Sequence, residues 1–219
     1  MKGYVPGILV ALIIVAVGFY YESTKDPLFV EDLDGDGQIS EVGIAYKDPG
    51  IYKLQHQGIH EYEAGDFESA EKTFLQVIEE APDYPAPYLM MGNLSIGKKE
   101  YSTAIRYYEQ ALVIQSDLAQ AYAGLAMVHT YKEDRREAIK FYNKALQLVP
   151  NHSYSHFNIA EQYFYLGDYV SARKHYQSIL KLVQGTWYEK ESRKRLEEIS
   201  IKEQSKMGED EHPFHPDTN

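Results

Sequence analysis

Apolar and small residues recur along most of this chain at the three- and four-residue spacing of helices, and the pattern itself returns every 34 residues. The alanines Ala70, Ala104, Ala138 and Ala172 mark the register. Twelve positions before each stands another small residue: Gly58, Gly92, Ala126 and Ala160. Four positions after each stands an aromatic: Phe74, Tyr108, Tyr142 and Tyr176. A further column, Phe67, Tyr101, Arg135 and Tyr169, breaks once, at the arginine. A period of this length describes a stack of supersecondary units, each too small to bury its apolar face alone.

The residue types fit pairs of packed helices. A small residue on the first helix facing a small residue on the second lets the backbones approach, and the aromatic one turn on fills the space beside them. Turn formers separate the helices of a pair at Gly65-Asp66, Lys98-Lys99-Glu100, Glu133-Asp134 and Gly167-Asp168. Pro82, Pro85 and Pro150 fall between pairs, where a helix has to stop. Charges such as Glu68, Glu71 and Lys72 sit at helical spacing on the second helices and predict a solvated outer face.

With those columns in place the chain resembles the tetratricopeptide repeat family, and "LQHQGIHEYEAGDFESAEKTFLQVIEEAP" carries nearly the whole signature. Four copies are predicted at 51–84, 85–118, 119–152 and 153–186. The early aromatic of the first helix is Tyr88 and Tyr122 in the middle copies but Leu54 and His156 in the outer ones; the terminal proline is Pro82 and Pro150, with Ser116 and Gln184 elsewhere. The resemblance implies an all-α, right-handed superhelical solenoid. A charged stretch at 187–206, with Trp187, Leu196, Ile199 and Ile201, predicts a helix capping the last pair, and 207–219 reads as a disordered tail.

The amino-terminal end differs in kind. No residue from Tyr4 to Tyr21 is charged, and 18 residues at about 1.5 Å each span roughly 27 Å, close to a bilayer core. Residues 1–21 are therefore read as a transmembrane signal anchor preceding the solenoid. A cleaved signal peptide is the alternative, since Ala16 and Gly18 stand where a peptidase reads small residues. Lys2 on one flank, against Glu22, Asp26, Glu31 and Asp32 on the other, keeps the terminus cytoplasmic and places the repeats outside, in a bacterial periplasm. The chain has no cysteine, which suits an oxidising compartment and excludes a lipoprotein anchor.

Residues 22–50 form a linker. Within it Asp32, Asp34 and Asp36, then Gly37, match the first half of an EF-hand-like loop, with Gln38 offering a carbonyl and Glu41 a further carboxylate. The bidentate glutamate of such loops falls on Gly43, so any Ca2+ site there is weak, and a turn-rich linker is the other reading. No cofactor is required by anything else in the chain.

The resemblance also implies which side chains face the concave groove: Tyr52, Gln55, Ile59, Tyr62, Leu89, Asn93, Ile96, Met127, Tyr131, Tyr154, Phe157, Glu161, Phe164 and Tyr165. Asn93 is available there to fix a peptide backbone. The basic positions with which chaperone-binding members hold a terminal carboxylate are missing, and an aromatic groove implies an apolar or aromatic segment of another protein. The net charge of −11, with no basic stripe, argues against nucleic acid. No nucleophile elbow, phosphate loop or cysteine nucleophile is present, and the chain is not read as an enzyme. His56 and His60 share a helix face, and His212 and His215 lie in the tail, but neither pair has a third ligand. The reading is a membrane-anchored interaction scaffold or assembly factor of the bacterial envelope. The alternatives are a self-associating structural protein forming homo-oligomers and a periplasmic small-ligand or glycan binder.

Overall fold

The computed structural model describes residues 48–210, with side-chain surroundings for 48–205. The expected anchor at 1–21 and the Asp32–Glu41 loop lie outside the described residues. Within them the chain is helical throughout, and every expected repeat is a helix pair. The first helices are α1 (Pro49–Glu63), α3 (Pro85–Gly97), α5 (Ala119–Tyr131) and α7 (Ser153–Tyr165). The second helices are α2 (Phe67–Glu80), α4 (Tyr101–Ile114), α6 (Arg135–Leu148) and α8 (Tyr169–Leu182), and α9 (Trp187–Asp210) closes the stack. The first helix starts two residues before the expected boundary because Asp48 caps it, accepting from Gly50 N at 2.7 Å and Ile51 N at 3.3 Å.

Each intra-pair turn is built the same way. The residue before the cap is left-handed: Gly65 (φ 79°), Lys99 (φ 61°), Glu133 (φ 60°) and Gly167 (φ 78°). The next residue caps the second helix. Asp66, Asp134 and Asp168 accept from the backbone N–H three residues on, whereas Glu100 makes no such bond. The hydrogen bonds from Ser69 and Ser171 hold the Asp66 and Asp168 carboxyls below the usual range.

The small-residue columns pack as their chemistry requires. Ala70, Ala104, Ala138 and Ala172 are fully buried, as are the aromatics four residues on. A Cβ added at Gly92 or at Gly124 would meet the Tyr108 ring within 3.0 Å, so this ring slides between α3 and α5 only because both positions lack a side chain. The break in the aromatic column has a physical reason. Tyr101 stacks on Tyr131 (centroids 6.1 Å), and one repeat later the Arg135 guanidinium lies 4.8 Å from the Tyr165 centroid, doing the same work with a planar cation.

The helix α9 keeps the 34-residue register. Position 194, where a first helix would carry its small residue, is Lys194, and its side chain is exposed to 68%. A lysine there leaves no seat for another second helix, so the stack ends. The helix runs to Asp210, four residues beyond the expected end. Its inner face is tied down by Arg195, which pairs with Glu161 of α7 at 2.9 Å while Glu198 on its own helix steadies the guanidinium at 3.0 Å, and by the Arg173–Glu203 pair.

Candidate functional site

Successive first helices approach one another, α3 against α5 and α7 against α9, while among the described residues no second helix comes as close to the next. The first helices therefore lie on the inside of the curve. They are also the more apolar set: α3 is buried over Pro87–Ser95, whereas α6 buries one stripe.

Midway along this inner face is a small pocket lined by Asn93, Gln120, Ala123, Gly124, Met127, His152 and Tyr154. Its volume of about 20 Å³ holds one or two waters and no small-molecule ligand. The Tyr154 hydroxyl donates to Met127 Sδ at 3.1 Å. Asn93 Oδ1 accepts from the Tyr108 hydroxyl at 2.5 Å, which fixes the amide plane. Its Nδ2 is buried and has no partner in the protein, an unused donor on the pocket wall. Burial pushes the Tyr108 and Tyr154 hydroxyls well above their ordinary range, so both stay protonated donors.

The expected groove residues divide into three groups. Asn93, Met127 and Tyr154 meet at the pocket. Tyr52, Tyr131 and Tyr165 are open to solvent, and Ile59, Tyr62 and Ile96 are half-buried. The remaining five are taken up inside the protein. Leu89 and Gln55 are buried among neighbouring helices. Phe157 and Phe164, expected at the centre of an aromatic binding cluster, are core residues instead. Phe157 packs on Tyr176, Trp187 and Tyr188, and Phe164 lies under the Arg195 guanidinium at 4.9 Å. Glu161 is bound by Arg195 and the Tyr176 hydroxyl. The reason is common to all three: α9 occupies the place of a fifth first helix and covers the face that α7 would otherwise show.

Gln120, Ala123, Gly124 and His152 complete the pocket and are not among the expected groove residues. Gln120 stands in register with Tyr52 and Tyr154, so the repeat alone could have found it. His152 caps α7 outside the helix register, and Ala123 and Gly124 matter through what they lack. The exposed His56 and His60 gain no third ligand, and among the described residues no group of three or more His, Cys, Asp or Glu is placed to hold a metal. No described helix is long and apolar enough to cross a membrane.

Comparison with known proteins agrees with this architecture. Tetratricopeptide repeat models match residues 57–119, 119–152 and 154–183. Among solved structures, the MamA RS-1 ArsTM double mutant is 22% identical over 60% of this chain and 74% of its own, with a TM-score of 0.53. MamA 41-end from Desulfovibrio magneticus RS-1 gives 22% identity, 60% and 75% coverage and the same TM-score. A crystal structure of MamA covers 69% of this chain and 96% of its own at 18% identity and a TM-score of 0.52. At these identities the likeness is one of fold.

Proposed function

The chain belongs to the tetratricopeptide repeat family, and from that premise we propose that it is a protein-interaction scaffold which holds an extended segment of a partner protein along its concave face. The observation that carries the reading is the unpartnered Asn93 Nδ2 on the wall of the central pocket. A buried donor without an acceptor costs about 1–3 kcal/mol, and a water held in the pocket between Nδ2 and a carbonyl of a bound chain repays it. Exposed Tyr131 and Tyr165 flank the groove and supply apolar contact area. The central pocket itself is too small for a small-molecule ligand, and no catalytic role is proposed.

In this reading residues 4–21 anchor the protein in a bacterial membrane and the repeats work on the outer side, where the Asp32–Glu41 loop would meet calcium. Those parts rest on the apolar run and the flanking charges alone. Resistance of the full-length chain to alkaline extraction of membranes tests the anchor, and its release by that treatment would remove it.

The scaffold is tested by crosslinking the full-length protein in its own membranes and identifying what is recovered. The expected result is one stoichiometric protein, lost on combining Tyr131→Lys with Gln120→Arg and retained on Val113→Lys, a change on the exposed outer side. Retention with the groove variant would refute the groove. Recovery of the bait crosslinked only to itself would favour the homo-oligomer.

A further inference from the structure

In three repeats one residue near the start of the first helix donates to the carbonyl six positions earlier. Tyr88 OH reaches Pro82 O at 3.0 Å, Tyr122 OH reaches Ser116 O at 3.3 Å, and His156 Nε2 lies 3.0 Å from Pro150 O. A carbonyl only accepts, so His156 carries its hydrogen on Nε2 and, when neutral, a lone pair on Nδ1. That lone pair faces His175 Nδ1 at 3.0 Å, which must then be the N–H donor. One backbone carbonyl thus sets the tautomers of two rings.

The same two places hold Tyr88 and Tyr107 in the second repeat and Tyr122 and Phe141 in the third, pairs that do not take up protons in mild acid. The fourth repeat alone joins its helices there through two imidazoles. Their centroids are 5.3 Å apart, and Tyr163 stacks against the far side of His175. The other basic groups bearing on the pair are Lys174 on α8, which is positively charged, and His152 at the α7 cap, which becomes so only in acid. Among the described residues no carboxylate lies within ion-pair reach of either ring.

We propose that the His156–His175 contact is an acid-labile latch, which closes α7 on α8 while the rings are neutral and opens the fourth repeat first when the medium is acidified. A first extra proton enters at His175 Nε2 and leaves the contact intact, but it places a charge in a half-buried position beside Lys174. A second has only His156 Nδ1, where it removes the acceptor and sets two N–H groups head to head. Burial already holds both rings below the ordinary histidine range, His175 at about 4. The unfolded segment therefore binds protons at a higher pH than the folded one, and acid favours opening. Units in a stack are coupled to their neighbours only, so α7, α8 and the overlying α9 respond while the earlier repeats stay closed.

Hydrogen exchange on the full-length chain at about pH 7.5 and about pH 5, corrected for intrinsic rates, reads this directly. Protection over 153–182 should fall about tenfold more than over 101–131, on the scale of one pKa unit. His156→Tyr with His175→Phe, which transplants the third repeat's pair, should reduce that difference, and what remains is the share of His152 at the α7 cap. An equal response in both stretches, or a double variant that responds as the native chain does, overturns the proposal. Histidine titration by NMR on the unaltered protein gives a check that does not depend on the variant folding. Coupled titration of the two rings below the ordinary range supports the latch, and independent titration near that range refutes it.

Discussion

The hydroxyl of Tyr108 donates to Asn93 Oδ1, 15 residues earlier, and so decides which way the buried amide donor of the central pocket points. The equivalent tyrosine one repeat on, Tyr142, has Met127 at the asparagine's register position; its buried hydroxyl has only the Thr130 and Tyr154 hydroxyls nearby and no well-formed hydrogen bond. The two tyrosines should therefore answer differently to loss of the oxygen. Tyr108→Phe should cost about 1–2 kcal/mol, because it strands Asn93 Oδ1 as well, while Tyr142→Phe should be neutral or stabilise by up to about 1 kcal/mol. Denaturant midpoints of the two variants check this, and equal losses would show that the hydroxyls are not in the unequal surroundings described.

The turn column offers stabilising changes. Lys99 and Glu133 adopt the left-handed conformation that Gly65 and Gly167 take in the other two turns. Lys99→Gly and Glu133→Gly should each raise stability by about 0.5–1 kcal/mol, since the relief of left-handed strain exceeds the entropy that glycine adds to the unfolded chain.

Glu100 is the one residue of its column that fails to cap its helix, its side chain being a methylene too long. Glu100→Asp should restore the bond to the N–H of Thr103 and gain about 0.5–1 kcal/mol. Thermal unfolding measures the gain, and a lowered Tm would mean that the turn differs from its three relatives.

Gly124→Ala sets a methyl against the Tyr108 ring and should destabilise by about 1–3 kcal/mol, with loss of the Asn93 contact. Gly97→Ala, which meets nothing within 4 Å, serves as the control and should be neutral or mildly stabilising. The comparison separates a close approach from a general intolerance of alanine.

Burial also holds the His152 ring down at about 4, with the His156 charge adding to it. Above about pH 6.5 the ring is neutral in both folded and unfolded chains, and its contribution to stability is complete. As pH falls from about 6.5 towards 4 the unfolded chain takes up a proton that the folded one refuses, and stability declines. The loss levels off below the folded value, at roughly 3 kcal/mol for a shift of this size. Urea titrations across that window should show the slope, and His152→Asn should lessen it, leaving the part carried by His156 and His175.

The periodicity made the helix pairs, their turns and their family legible because each column has one packing job, repeated. It failed where a job passed between unlike residues. Arg135 looked like a break, although a guanidinium stacks on Tyr165 as a ring would. Lys194 hid the register of α9, since a lysine is the opposite of the small residue expected there, and with it the burial of Phe157 and Phe164. The free Nδ2 of Asn93 was out of reach for another reason. It depends on a ring from α4 passing between two glycines on different helices, a relation that no single column records.

α9 is half of a unit, and the side it leaves without a partner is charged. Every other first helix hands its small residue to a following partner; at position 194 a solvated ammonium stands in the way. Appending a well-made second helix after residue 210 would not lengthen the groove, because the added segment would find a charged wall where it needs a hollow. Shortening Lys194 to alanine would turn the same end into an open socket. The reach of the binding face is set there by one side chain and not by the number of residues that follow it.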